Sequence, residues 1–220
     1  QRINEVDDAI ESSIDYAFSS RWGYLTACPT NVGTGLRLGV MVHLPALKLT
    51  NEIDRLRRAA KDLHLAVRGF YGEGSDSAGD FYQVSNQVTL GCSQQDLLDE
   101  FTTKIVPRLI DYERVARDLL LDQKLRLLDD RVHRAMGILQ KASLLSEDEA
   151  MKLLSRVRLG VCTRRLQGVD RQKIDRLFLR VQWAHLQAFA GEALSADEQR
   201  EVRATIVRQV LTGSNPASQN

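Results

Sequence analysis

Three short stretches of this chain hold residue types that together suit an anion and a cation. The first is Cys28-Pro-Thr-Asn-Val-Gly-Thr-Gly-Leu-Arg37. It reads as a strand end, a tight turn with two glycines, and an arginine just inside the next strand. Glycine lets backbone approach a ligand closely, and an arginine fork matches phosphate oxygens. Cys28 stands where a polar turn exposes a thiol. The second is Val67-Arg-Gly-Phe-Tyr-Gly-Glu-Gly74, where Arg68 suits a phosphate and Glu73 suits a guanidinium through a paired hydrogen bond. The third, Val84-Ser-Asn-Gln-Val-Thr-Leu-Gly91, reads by itself as a strand and a turn and nothing more. Taken singly, an ordinary hairpin with a buried cysteine and a solvated surface loop explain these residues better than a site does.

Composition limits the alternatives. The chain has 220 residues, 43% hydrophobic and 27% charged, with a formal net charge of +1. That is ordinary for a globular protein with a packed core, and no global field draws it to nucleic acid or to an acidic membrane. Cys28, Cys92 and Cys162 form an odd, widely spaced set without a CxxC pair, which disfavours disulfides and zinc and fits a reducing cytoplasm. His43, His64, His133 and His185 show no metal-ligand spacing. No P-loop is present, and Leu38 occupies the last position that a dinucleotide-binding G-x-G-x-x-G would require.

The elements that must position these residues follow from periodicity. Ile3, Val6, Ile10, Ile14 and Ala17 fall at helical spacing, with no cap before them and no initiator methionine, so residue 1 is read as a boundary within a longer chain. Strands are expected over 23–28 and 36–44, a helix over 50–62, and further strands over 63–70 and 81–90. Ser93 with Asp96, Ser146 with Glu149 and Ser195 with Glu198 have capping-box spacing. Pro107 should kink or interrupt the helix that starts at Ser93. The expected fold class is α+β, a mainly antiparallel sheet flanked by helices and followed by an all-helical C-terminal domain. The expected boundaries are 1–120 for a partial catalytic domain, 121–212 for a helical regulatory or dimerisation domain, and 213–220 for a disordered tail.

In this order the three stretches resemble the phosphagen (guanidino) kinases, and within that family the bacterial protein-arginine kinases. Gly23-Tyr-Leu-Thr-Ala-Cys28, Val40 to Leu47, Arg68 to Glu73 and Asp130 to Leu139 carry the likeness to that branch. The resemblance implies ATP-dependent phosphorylation of arginine residues in proteins, marking them for quality control, with ATP and Mg as cofactors. It assigns catalytic roles to Glu73 and Cys28, with the Thr30 hydroxyl beside the thiol. It assigns ATP contacts to Arg37, Leu38, Gly39, Val40, Met41, Arg68, Gly69, Phe70, Tyr71, Gly72 and Glu73. Leu38 stands where the family has a small residue and is expected to crowd the nucleotide. Arg200 and Arg203 are candidate phosphoarginine-binding residues, in a stretch that matches only half of the family's motif. The family's Asn-Glu-x-Asp segment, with its catalytic carboxylate, is absent from this sequence. The partners implied are protein substrates with exposed arginine, an activator protein, a Clp-type unfoldase and a second copy of the chain, with no nucleic acid and no membrane. Two alternatives stay open: a non-catalytic scaffold that keeps the kinase fold, and a small-molecule guanidino kinase.

Overall fold

A computed structural model describes residues 2–70 and 77–213. Glu73, Tyr71 and Gly72, and the expected tail beyond residue 213, lie outside the described residues. The elements run α1 (Arg2–Glu11), β1 (Phe18–Ser19), β2 (Gly23–Tyr24), β3 (Gly39–His43), α2 (Pro45–Leu49), α3 (Ile53–Asp62), β4 (Leu65–Arg68) and β5 (Phe81–Asn86). Among the described residues helices follow without further strands: α4 (Gln94–Glu100), α5 (Val106–Gln123), α6 (Leu125–Lys141), α7 (Glu147–Cys162), α8 (Arg171–Arg180), α9 (Trp183–Ala190) and α10 (Ala196–Thr212). This is the α+β class, with strands first and a helical array after them.

The three-stranded sheet has the order β3-β5-β4. Asn86 N donates to Leu38 O while Leu44 N donates to Asp80 O, so β3 and β5 run antiparallel. The expected strand over 23–28 is cut to β2, which pairs with β1 and not with β3. Pairing with β1 stops at Tyr24, and past Cys28 the chain enters a short 3₁₀ turn over Pro29–Asn31, opened by Pro29, which has no N–H for a ladder. The expected helix over 50–62 is α3, which starts at Ile53, and a separate short helix, α2, precedes it over Pro45–Leu49. Pro45 opens α2 where no N–H is needed, and the buried Glu113 carboxylate accepts the next two N–H groups, those of Ala46 and Leu47, at 3.1 Å each.

Capping follows the spacing. Ser93/Asp96 and Ser195/Glu198 both make reciprocal capping boxes, whereas at Ser146 the serine half is made, with Oγ accepting from Glu149 N. Pro107 does not end its helix. A π-helical turn over Phe101–Ile105 slips the hydrogen-bond register just before it, and α5 continues to Gln123.

The chain forms two compact units. The first comprises Gln1–Met41, Asp54–Val67 and Gln83–Ile110, and the second Val42–Ile53, Arg68–Tyr82 and Asp111–Asn220. The larger apolar core lies in the second unit, where Leu139, Leu145, Met151, Leu154, Ile174, Leu177 and Leu186 are all fully buried or nearly so. Ala78, on the turn before β5, belongs to the same core.

Candidate functional site

The first unit builds the Cys28 turn from backbone. Tyr24 and Gly33 form an antiparallel bridge, with Tyr24 N donating to Gly33 O at 2.8 Å and Gly33 N to Tyr24 O at 3.2 Å. Gly33 has φ +119, and a Cβ there would come within 2.5 Å of Thr89 O. Only glycine fits both the dihedral and the space. A Cβ on Gly23, at φ +75, would in turn overlap the Gly33 carbonyl, so each glycine is required by the main chain packed against it.

The third stretch, which looked inert in the sequence, supplies the grip. Asn86 accepts from Leu38 N at 2.8 Å through Oδ1 and donates through Nδ2 to Leu36 O and Val88 O. Thr89 Oγ1 donates to Val32 O at 2.8 Å and to Thr30 O at 3.4 Å, while Thr34 N donates to Thr89 O. Both side chains are on buried residues. They satisfy main-chain groups on each side of the glycine turn, which leaves its outer face for chemistry. Sequence reading missed Asn86 and Thr89 as positioning residues. A signal did exist, because Asn and Thr beside a glycine-rich turn are the side chains that bond backbone.

On that face Cys28 is exposed, and its Sγ lies 3.0 Å from Thr30 Oγ1. Thr26 Oγ1 donates to Cys28 O at 2.6 Å, fixing the cysteine backbone from the other side. Arg37 is exposed. A cavity of about 420 Å³ opens beside it, lined in part by Asp7, Tyr16, Tyr24, Thr26 and Gly35. Tyr24 Oη donates to Glu11 Oε1 at 3.5 Å and Tyr16 Oη to Asp7 Oδ1 at 3.1 Å. Both phenols are pushed above their ordinary range, Tyr24 chiefly by the Glu11 charge and Tyr16 chiefly by desolvation. Helix α1 buries no residue, and Ile3, Val6 and Ile10 on it stay exposed.

Of the other expected nucleotide contacts, Gly39, Val40 and Met41 sit on β3, with Gly39 and Met41 exposed and Val40 half-buried. Leu38 is half-buried and its backbone is held on both sides by Asn86. Arg68 ends β4 and, with Gly69 and Phe70, belongs to the second unit. Arg200 is exposed and lies 3.5 Å from Asp197. Arg203, by contrast, is 3% exposed, and its guanidinium donates to the carbonyls of Val181, Leu145 and Gln199. No group of three or more His, Cys, Asp or Glu side chains able to hold a metal ion occurs among the described residues. Among the same residues no helix is long and apolar enough to cross a membrane.

Residues 1–116 match the family model described as ATP:guanido phosphotransferase, C-terminal catalytic domain. Residues 125–220 match the model described as Protein-arginine kinase McsB C-terminal domain. A protein-arginine kinase of Moorella thermoacetica is 47% identical over 207 residues, covering 94% of this chain and 59% of the relative. That of Halothermothrix orenii is 45% identical over 211 residues, covering 96% and 60%. That of Bacillus subtilis (strain 168) is 44% identical over 208 residues, covering 94% and 57%. The chain thus spans about three fifths of the length of these relatives.

Proposed function

The chain belongs to the ATP:guanido phosphotransferase family, and from that membership we propose that it forms part of a protein-arginine kinase. The observation that carries the reading is the Cys28 turn: an exposed thiol beside a threonine hydroxyl, an exposed arginine nine residues on, and a backbone clamped by Asn86 and Thr89. The relatives over both parts of the chain carry the same activity in their names.

In this mechanism a guanidinium nitrogen of the protein substrate attacks the γ-phosphorus of ATP. An N–P bond forms, the bond from the γ-phosphorus to the bridging oxygen breaks, and ADP leaves. The guanidinium proton passes to a carboxylate, for which Glu73 is the assigned residue. Phosphoryl transfer of this kind is mostly positioning and charge stabilisation. Arg37 contributes a fixed charge for the phosphates, because a guanidinium stays protonated at any working pH. Arg68 is assigned the same task. Gly39 and Met41 present an exposed strand edge and side chain to the nucleotide. Cys28 is assigned to face the substrate cation, with the Thr30 hydroxyl 3.0 Å from its sulfur. Mg²⁺ brought with the nucleotide would supply further neutralisation of the phosphates. Of the candidate phosphoarginine residues, Arg200 is the one with a guanidinium at the surface. Arg203 would act by holding α10 in place.

The test uses the complete reading frame that encodes this chain, incubated with Mg-ATP and an unfolded, arginine-rich protein. Phosphorus NMR at neutral pH should show phosphoarginine on the protein, and Glu73→Ala should abolish it. Phosphorylation of free arginine alone would move the reading to a small-molecule guanidino kinase. A folded, nucleotide-binding protein that transfers nothing would move it to a scaffold.

A further inference from the structure

The second unit contains a polar chain, buried at Asp80 and Ser155 and half-buried at His43 and Arg158, that the Cys28 turn does not use. It starts at Asp80, 5% exposed and held at φ +59 on the turn before β5. Ser155 on α7, fully buried, donates from Oγ to Asp80 Oδ2 at 2.5 Å. His43, the last residue of β3, places Nε2 at 2.9 Å from Ser155 Oγ, and Arg158 places Nη1 at 2.8 Å from His43 Nδ1. Arg158 Nε then donates to Asp175 Oδ1 on α8 at 2.6 Å, while Arg156 Nη1 lies 3.2 Å from Asp80 Oδ2.

The permanent charges fix every proton in this chain. Arg158 can only donate, so Nδ1 of His43 accepts. The imidazole proton therefore sits on Nε2 and goes to Ser155, whose own proton goes to the Asp80 carboxylate. Burial together with Arg158, Arg117 and Arg156 lowers the His43 pKa to about 2, against a weak pull from the Gly79 carbonyl. The ring stays neutral across the neutral range, so this is a fixed strut.

The strut is continuous with an aromatic stack. The His43 ring lies 4.8 Å from Phe81 and 6.0 Å from Phe178, and Phe81 lies 5.8 Å from Phe70. Phe70 follows Arg68 by two residues. Gly79 closes the arrangement, because a Cβ there would press on Met151 O at 3.0 Å and on the Phe178 ring at 3.2 Å. A non-glycine residue at positive φ is strained and persists only where its surroundings over-determine it. Apolar packing alone would join α7 to this turn at lower cost, whereas a directional chain fixes its register.

We propose that Ser155 and His43 are positioning residues for nucleotide binding. Through them α7 and α8 set the Asp80 turn and the Phe81–Phe70 stack, and thereby the placement of Arg68. This rests on the kinase reading, and it makes the helical part of the chain a determinant of nucleotide affinity.

The test measures KM for ATP against kcat, the affinity for a fluorescent ATP analogue, and the melting temperature, all in the complete reading frame. Ser155→Ala and His43→Leu should raise KM and weaken analogue binding by about fivefold or more, the coupling expected of residues in one network, with kcat nearly unchanged. His43→Gln, whose amide nitrogen can still donate to Ser155, should recover most of the loss. Ser155→Cys, nearly isosteric and a weaker donor, guards against variants that do not fold and should show a smaller shift in the same direction. Variants that melt earlier yet bind the analogue like wild type overturn the proposal and leave the chain a purely structural strut. If wild type binds the analogue but makes no phosphoarginine, the kinase reading fails while the binding comparison still decides this one. If wild type binds no nucleotide at all, both fall.

Discussion

The Cys28 turn and the His43–Asp80 chain solve opposite problems. The turn must present a thiol and an arginine to solvent without moving, so it is held from behind by side chains that bond main-chain carbonyls and amides. Its outer face keeps the Cys28–Thr30 contact and the exposed Arg37. The buried chain binds side chain to side chain, runs its donors in one direction, and presents nothing. The first arrangement depends on backbone shape and the second on directional side-chain hydrogen bonds in a low dielectric. They should therefore fail differently when broken.

The largest effect is expected at Gly33. Gly33→Ala would place a methyl 2.5 Å from Thr89 O and 2.8 Å from Leu90 Cα, all of it rigid backbone, at φ +119. A loss of about 3 kcal/mol is the scale for such a forced backbone change. Chemical denaturation should show it, together with a changed rate of Cys28 alkylation, because the turn cannot keep its shape. An unchanged midpoint would mean that the turn relaxes freely and is not a preformed site.

Asn86 comes next. Asn86→Leu removes three bonds to main chain and leaves Leu38 N, Leu36 O and Val88 O without that partner. At about 1 kcal/mol per bond the expected loss is roughly 2–3 kcal/mol. Asn86→Asp keeps the acceptor for Leu38 N and loses the donors, so it should be nearly as damaging. If Asp is harmless, the grip on Leu36 and Val88 is not what fixes the turn.

The buried chain makes a prediction about pH that the turn does not. The folded pKa of His43 lies far below its ordinary value of 6.5. The unfolded state therefore binds the extra proton first, and stability falls as pH drops below about 6.5. The slope from this one group approaches about 1.4 kcal/mol per pH unit and continues towards its folded value. His43→Gln should flatten that acid limb, with Arg158, Arg117, Arg156 and Asp80 still facing the position. Glu113 works with the opposite sign: burial raises its pKa despite Arg117 and the two α2 amides. Its stabilising contribution is present below its unfolded pKa and is lost as pH rises through the folded value. A Glu113→Gln variant should therefore lose less stability than wild type as pH rises above about 4.5.

The two regions also differ in how far the sequence reveals them. The turn is punctuated by Cys-Pro, two glycines and an arginine within ten residues, so its place and general shape are legible in the residues themselves. The α+β class and the caps at Ser93 and Ser195 are legible for the same reason, because local signals set local conformation. The residues that hold the turn are less so, since Asn86 and Thr89 act across about fifty residues or more. The buried chain is not legible at all. His43 and Ser155 stand 112 residues apart, Ser155 and Asp80 75, and Arg158 and His43 115. Nothing in their local patterns marks them, because only tertiary packing brings them together. The short reach of β2 escaped for a subtler reason, since Leu25 to Cys28 have strand-like composition but lie beyond the pairing with β1.

The smallest effect returns to the turn and tests whether its exposed face is chemically prepared. Thr30 Oγ1 lies 3.0 Å from Cys28 Sγ, and either atom can be the donor. If the hydroxyl donates, it stabilises the thiolate over the thiol and increases the fraction that reacts. Thr30→Val keeps the shape and removes the donor. Stability should change by less than about 0.5 kcal/mol, as for most exposed positions. Alkylation of Cys28 at neutral pH should slow by about threefold, the effect of losing one modest hydrogen bond to the reacting form. The profile of that rate should shift towards higher pH, while the limiting rate at high pH stays the same. A variant that alkylates faster than wild type at neutral pH would show that the thiol donates to the threonine, and one that matches wild type at every pH would show that the contact favours neither form. Thr30 would then be part of the turn's frame, like Thr89, and not part of its chemistry.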